Sequence, residues 1–131
     1  MRAVQDRTTK YTSAVREFIA VQRHATNAEI LVHLQAVYPD ISATTVHRIT
    51  ARLYERGELQ LAPTGAANVL RYDANLTLHD HFMCEVCGLL RDARLGDLVR
   101  PAIEQAIGAD CSISGSLTVS GICKQCHKGS V

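Results

Sequence analysis

Two Cys-x-x-Cys pairs, Cys84/Cys87 and Cys123/Cys126, constrain this chain more than any other feature. Each pair turns two sulfurs toward one point, and two such turns complete a tetrahedron across the 35 residues between them. Four thiolates in that arrangement favour Zn(II) in a closed structural site. The rival reading is a thiol redox pair, which needs a thiol of low pKa that partners can reach. Structural zinc contributes on the order of 10–16 kcal/mol of apparent binding energy, enough to decide whether the second half of the chain folds. Cys111, the fifth cysteine, falls outside both pairs and is expected to be a small buried strand residue.

A second donor cluster has different chemistry. His79-Asp80-His81 stands just upstream of the first pair. On a strand His79 and His81 share one face while Asp80 points to the other, so the two imidazoles can share an ion. Asp73 and Asp92 are candidate oxygen ligands, and His24 would bring a ligand from the first half. Imidazoles and carboxylates suit Fe(II) or Mn(II) with a position left open. A soft site beside a harder one reads as a metal-dependent switch, with one ion for shape and the other for reporting.

The bulk numbers exclude several classes. A chain of 131 residues and net charge +1 can form one domain or two small ones, and its charge does not announce a nucleic-acid binder. Lys and Arg modestly outnumber Asp and Glu in residues 1–75. The polar opening MRAVQDRTTKY lacks the apolar core of a secretory signal, and no apolar run approaches a bilayer span. A cytoplasmic protein with reduced thiols and no membrane association is expected.

Thr12 or Ser13 is placed to cap a first helix carrying Val15, Phe18 and Ile19. Thr26-Asn27-Ala28-Glu29 is a capping box opening a second, with Ile30, Leu31, Leu34 and Val37 at helical spacing before Pro39. Ser42 caps a third helix running to about Arg56, with Gly57 as its stop. Val46, Ile49 and Leu53 mark its buried face; Arg48, Arg52 and Arg56 form a basic ridge, and Thr44, Thr45 and His47 lie in its first turns. That order is a helix-turn-helix, so Thr44, Thr45, His47, Arg48 and Arg52 are the candidate DNA contacts. The plainer reading makes the arginine ridge a solvated helix face. Residues 58–61 and 69–72 read as strands joined by a loop over residues 63–68, a wing.

In the second half, strand signals recur at residues 79–84, 89–93 and 112–122, and Leu95, Leu98, Val99, Ala102, Ile103 and Ile107 predict one amphipathic helix. Such a unit leaves an apolar face that dimerisation would cover. The expected fold class is α+β: an N-terminal winged helix-turn-helix domain over residues 1–75, then a small α/β dimerisation domain over residues 76–131 with a four-cysteine zinc site. A homodimer would present two heads to double-stranded DNA.

With these residues in place, the chain resembles the ferric uptake regulator (Fur) superfamily. The resemblance rests on the winged-helix half, His-Asp-His-x-x-Cys-x-x-Cys-Gly and the late Cys-x-x-Cys, and spans Lys10 to His127. It is greatest to the peroxide-sensing repressor (PerR) branch, in which three histidines and two aspartates hold the regulatory metal. The resemblance places that role on His24, Asp73, His79, His81 and Asp92. Iron-sensing members usually carry glutamates at the two aspartate positions. It implies a repressor on a palindromic operator, and oxidation of His24 or His79 by peroxide when Fe(II) is bound. A manganese- or iron-uptake regulator of the same architecture is the alternative. A metallohydrolase built on His79-Asp80-His81 would need further ligands and a general base beside a cleft, so no enzyme is expected.

Overall fold

The computed structural model describes residues 2–64, 68–96 and 98–129. The chain divides into two compact units, the first ending at Leu76 and the second resuming at Thr77. No helix among the described residues is long and apolar enough to cross a membrane.

The first unit contains α1 (Arg2–Gln22), β1 (His24–Thr26), α2 (Asn27–Gln35), α3 (Ala43–Glu55), β2 (Gln60–Ala62) and β3 (Arg71–Asp73). Helix α1 begins well before Thr12 and Ser13, which therefore sit inside it and do not cap it. Packing overrides the cap preference here. Tyr11 and Ala14 lie against the core, and the Tyr11 ring meets Tyr38 edge-on at 5.1 Å, so this stretch is held as helix.

Helix α2 opens on the capping box. Thr26 Oγ1 accepts from the Glu29 N–H at 3.1 Å, and Glu29 Oε1 accepts from the Thr26 N–H at 2.9 Å. Ser42 Oγ caps α3 by accepting from the Thr45 N–H at 3.2 Å. At the other end, Gly57 adopts φ +75°, and the N–H groups of Glu58 and Gly57 donate to Leu53 O and Tyr54 O at 2.9 and 3.0 Å. That pattern satisfies carbonyls the helix would otherwise strand, and glycine adopts the left-handed conformation without steric cost. Val15, Ile19, Ile30, Leu34, Val46, Ile49 and Leu53 close the core between the three helices.

The three strands form an antiparallel sheet in the order β1-β3-β2. The wing strands lie slightly downstream of the expected spans, and Gly65, Ala66 and Ala67 of the wing loop fall outside the described residues. Strand β1 has no sequence signature of its own. Its pairing with β3 sets His24 directly opposite Asp73.

The second unit contains β4 (Asp80–Cys84), β5 (Leu90–Ala93), α4 (Arg100–Ile107), β6 (Thr118–Gly121) and α5 (Lys124–Gly129). Its sheet runs β5-β4-β6, antiparallel on one side of β4 and parallel on the other. Helix α4 is shorter than the apolar spacing predicts: Leu95, Leu98 and Val99 precede it, Leu98 is 84% exposed, and Asp97 lies outside the described residues. Pro101 near the start suits the first helical turn, where its missing N–H costs nothing. Cys111 is exposed and outside any strand, a correction to the expected burial, because it follows the α4 stop at Gly108 before any strand partner is available.

Leu53 is 1% exposed at the centre of the first unit's core. Leu53→Ala is expected to lower that unit's stability by about 2–5 kcal/mol. Urea unfolding followed with zinc analysis checks this, the zinc content remaining unchanged in the folded variant.

Candidate metal centres and DNA-reading face

Cys84 ends β4, and the turn that follows is held by Gly88 N–H donating to Cys84 O at 3.0 Å and Cys84 N–H to Leu89 O at 2.8 Å. Gly88 takes φ +78° to close it. Cys123 lies just before α5 and Cys126 within it, where His127 N–H donates to Cys123 O at 2.9 Å. The four sulfurs of Cys84, Cys87, Cys123 and Cys126 lie within 4.8 Å of one another. A zinc tetrahedron with about 2.3 Å bonds has edges of about 3.8 Å. Cys87 Sγ and Cys123 Sγ are 3.7 Å apart. The donor set fits a structural zinc ion.

Electrostatics point the same way. Cys84 Sγ accepts from the Cys87 and Cys123 backbone N–H groups at 3.5 and 3.3 Å. Those two donors lower its pKa to about 6. Cys126 is pushed up to about 12, chiefly by hydrogen bonding to the sulfurs of Cys123 and Cys87. Four crowded sulfurs cannot all carry charge on their own, and a divalent cation replaces the shared protons. The redox alternative fails on access: the activated thiol, Cys84, is buried.

In the first unit, β1 and β3 bring His24 Nε2 to 3.3 Å from Asp73 Oδ2, with both side chains largely buried. Asp73 Oδ1 accepts from the Asn75 N–H at 2.9 Å, which orients the carboxylate. In the second unit, His81 sits opposite Asp92 across β4 and β5. Asp92 Oδ1 lies 3.5 Å from His79 Nε2 and 3.3 Å from His81 Nε2, and the two imidazole centroids are 4.5 Å apart. His79 Nδ1 is 2.7 Å from Thr77 O. A carbonyl only accepts, so Nδ1 carries the proton and the Nε2 lone pair is the ligating one, the usual way a backbone carbonyl orients a metal-binding histidine.

Asp80 faces away from the histidines. It is buried, and its Oδ1 takes Arg100 Nη2 at 2.7 Å and the Leu117 N–H at 2.8 Å; Arg100 Nη1 also donates to Gly115 O at 2.8 Å. Sequence reading missed this pair. The alternation of β4 indicates that Asp80 turns away from the ion, but no local cue points to an arginine 20 positions downstream.

On α3, Thr44, His47, Arg48 and Arg52 are exposed, whereas Thr45 is half-buried with its hydroxyl 3.0 Å from Ser42 Oγ. Arg56 sits at the helix C-cap. Cys84→Ser is expected to abolish stoichiometric zinc and unfold the second unit, whereas His81→Ala retains both. Elemental analysis with circular dichroism separates the two outcomes; a Cys84→Ser protein that keeps stoichiometric zinc would contradict the zinc assignment, and one that is zinc-free yet folded would contradict the structural role.

Residues 5–112 match the model of the ferric uptake regulator family. The peroxide-responsive repressor PerR of Staphylococcus epidermidis is 26% identical over 116 residues, covering 87% of this chain and 76% of that protein. The ferric uptake regulator Fur of Helicobacter pylori superposes with a TM-score of 0.74 at 21% identity, covering 90% of this chain and 80% of that one. The Campylobacter jejuni peroxide stress regulator does so at 0.68 and 21%, covering 94% of each chain. At such identities the structural likeness establishes the fold. The family match spans most of the chain, and with it a winged-helix half followed by a four-cysteine unit identifies this protein as a member of the ferric uptake regulator family, a metal-responsive transcription regulator and not an enzyme.

Proposed function

We propose that this protein is a peroxide-responsive repressor that uses Fe(II) or Mn(II) as its regulatory ion and zinc as its structural one. Residues 1–75 serve as the DNA-binding domain and residues 76–131 as the metal-binding dimerisation domain, in a homodimer acting on palindromic double-stranded DNA in the cytoplasm. His24, Asp73, His79, His81 and Asp92 together hold the regulatory ion, and Thr44, Thr45, His47, Arg48 and Arg52 meet the DNA.

The observation that carries this reading is the chemistry of the donors. His24 with Asp73, and His79 and His81 with Asp92, supply only nitrogen and oxygen. Neither group is a full coordination set for a divalent ion, and together they offer five donors with a position left open. Ligation drawn from both halves would give the ion leverage over where the two recognition helices stand. A coupling of about 1–3 kcal/mol per site, used twice in a symmetric dimer, suffices for a switch. The match to a peroxide-responsive repressor supports this branch of the family.

Ferrous iron held by these residues would supply the redox chemistry that opens the peroxide O–O bond, with the ligand ring as the net electron donor. The net change on the protein is one oxygen added to a ligand imidazole: a ring C–H and hydrogen peroxide give a ring C–OH and water. His24 and His79 are the candidates, and an oxidised ring is a poorer donor, so the DNA-binding form is lost. Arg48 and Arg52 hold phosphates whether or not the ion is present, so affinity at low salt depends on them.

Anaerobic binding of the zinc-loaded dimer to its own promoter DNA, with Mn(II) or Fe(II) and before and after equimolar peroxide, tests the proposal. The expected result is binding with either metal and loss only of the iron complex, with one oxygen on His24 or His79 by mass spectrometry. Binding insensitive to peroxide in both complexes would assign the same architecture to manganese- or iron-uptake regulation.

A further inference from the structure

Thr50 is fully buried, and its hydroxyl has one proton to give. Asn27 Oδ1 lies 2.8 Å away, while Val46 O and His47 O lie at 3.2 Å. Donation to Asn27 turns the amide oxygen toward Thr50 and so turns its NH₂ group outward. Asn27 Nδ2 then lies 3.4 Å from His47 Nδ1. An amide NH₂ only donates, so Nδ1 accepts and carries no proton. The neutral ring keeps its proton on Nε2.

His47 is exposed on α3, one position before Arg48. From this geometry we infer that His47 is a specificity-determining residue that presents Nε2–H as a hydrogen-bond donor to the major-groove edge of a purine, with guanine preferred, and that Asn27 and Thr50 are the positioning residues that hold this tautomer. The inference rests on the DNA-binding reading above. Guanine offers N7 and O6 as adjacent acceptors, whereas the cytosine N4 and adenine N6 amino groups are donors that this ring rejects. The opposite tautomer would present a bare Nε2 and favour those amino groups instead. Asn27 can enforce this because it opens α2, whose capping box pins the backbone at Thr26 and Glu29.

Two measurements test it on the zinc-loaded protein. The first is the pair of ring ¹⁵N shifts of His47, assigned by their loss in His47→Ala. A protonated Nε2 and unprotonated Nδ1 are expected, moving toward a mixture in Asn27→Ala and in Thr50→Val, which keeps the buried shape. A proton on Nδ1, or shifts unaltered in both variants, would overturn the positioning argument. The second replaces each guanine of a half-site in turn by 7-deazaguanine, which lacks the N7 acceptor. One position is expected to weaken wild-type binding about tenfold and to have little further effect on His47→Ala. No such coupled position would overturn the base assignment. A protein that binds no promoter DNA at all would overturn the DNA-binding reading and the base contact with it, and the ring shifts would still report whether Asn27 sets the tautomer.

Discussion

The second unit depends on four sulfurs because little else in it is buried. Among its described residues, only Asp80, His81 and Cys84 are fully inside. Helix α4 buries nothing completely, and Leu98, Ile107, Val119 and Ile122 are well exposed. At roughly 25 cal/mol per Å² of apolar area, so thin a core cannot offset the entropy of ordering the segment. A zinc ion held by Cys84, Cys87, Cys123 and Cys126, whose sulfurs cluster to fit one, would close the loop between β4 and α5 and tie the parallel strand β6 in place. The Asp80–Arg100 pair performs a related task at the other end of β4, joining α4 and the residues before β6 to the same strand. Apolar surface left on α4 and β6 suits a family whose members bind DNA as dimers.

Register, more than proximity in sequence, arranges the second donor set. Side chains alternate along a strand, so a slip of one residue exchanges its two faces. Pairing of β1 with β3 puts His24 opposite Asp73, and pairing of β4 with β5 puts His81 opposite Asp92. The same alternation sends Asp80 to Arg100 and leaves the imidazoles with Asp92. His24 also precedes the α2 cap by two residues, so β1 runs straight into the segment whose Asn27 touches α3.

Much of this was legible in the chain. The Thr26 capping box, the Ser42 cap and the Gly57 stop are local chemistry, visible because each satisfies backbone groups within a few residues. The four cysteines announced their site by spacing and softness. The expected cap at Thr12 or Ser13 failed because Tyr11 packs against Tyr38 and holds α1 helical through that point. The long helix expected from Leu95 shortened to Arg100–Ile107, since apolar spacing alone does not place a helix start.

The sequence by itself determined the donor chemistry, the three helices of the first unit and the family pattern, because ligand type, capping and hydrophobic period are all encoded within short windows. Only the tertiary structure decided which carboxylate meets which imidazole, that Arg100 answers Asp80, that Cys111 lies outside, and that Thr50 orients Asn27 toward His47. Each of these joins residues distant in sequence through strand register or helix packing, and contacts of that kind leave no periodic trace along the chain.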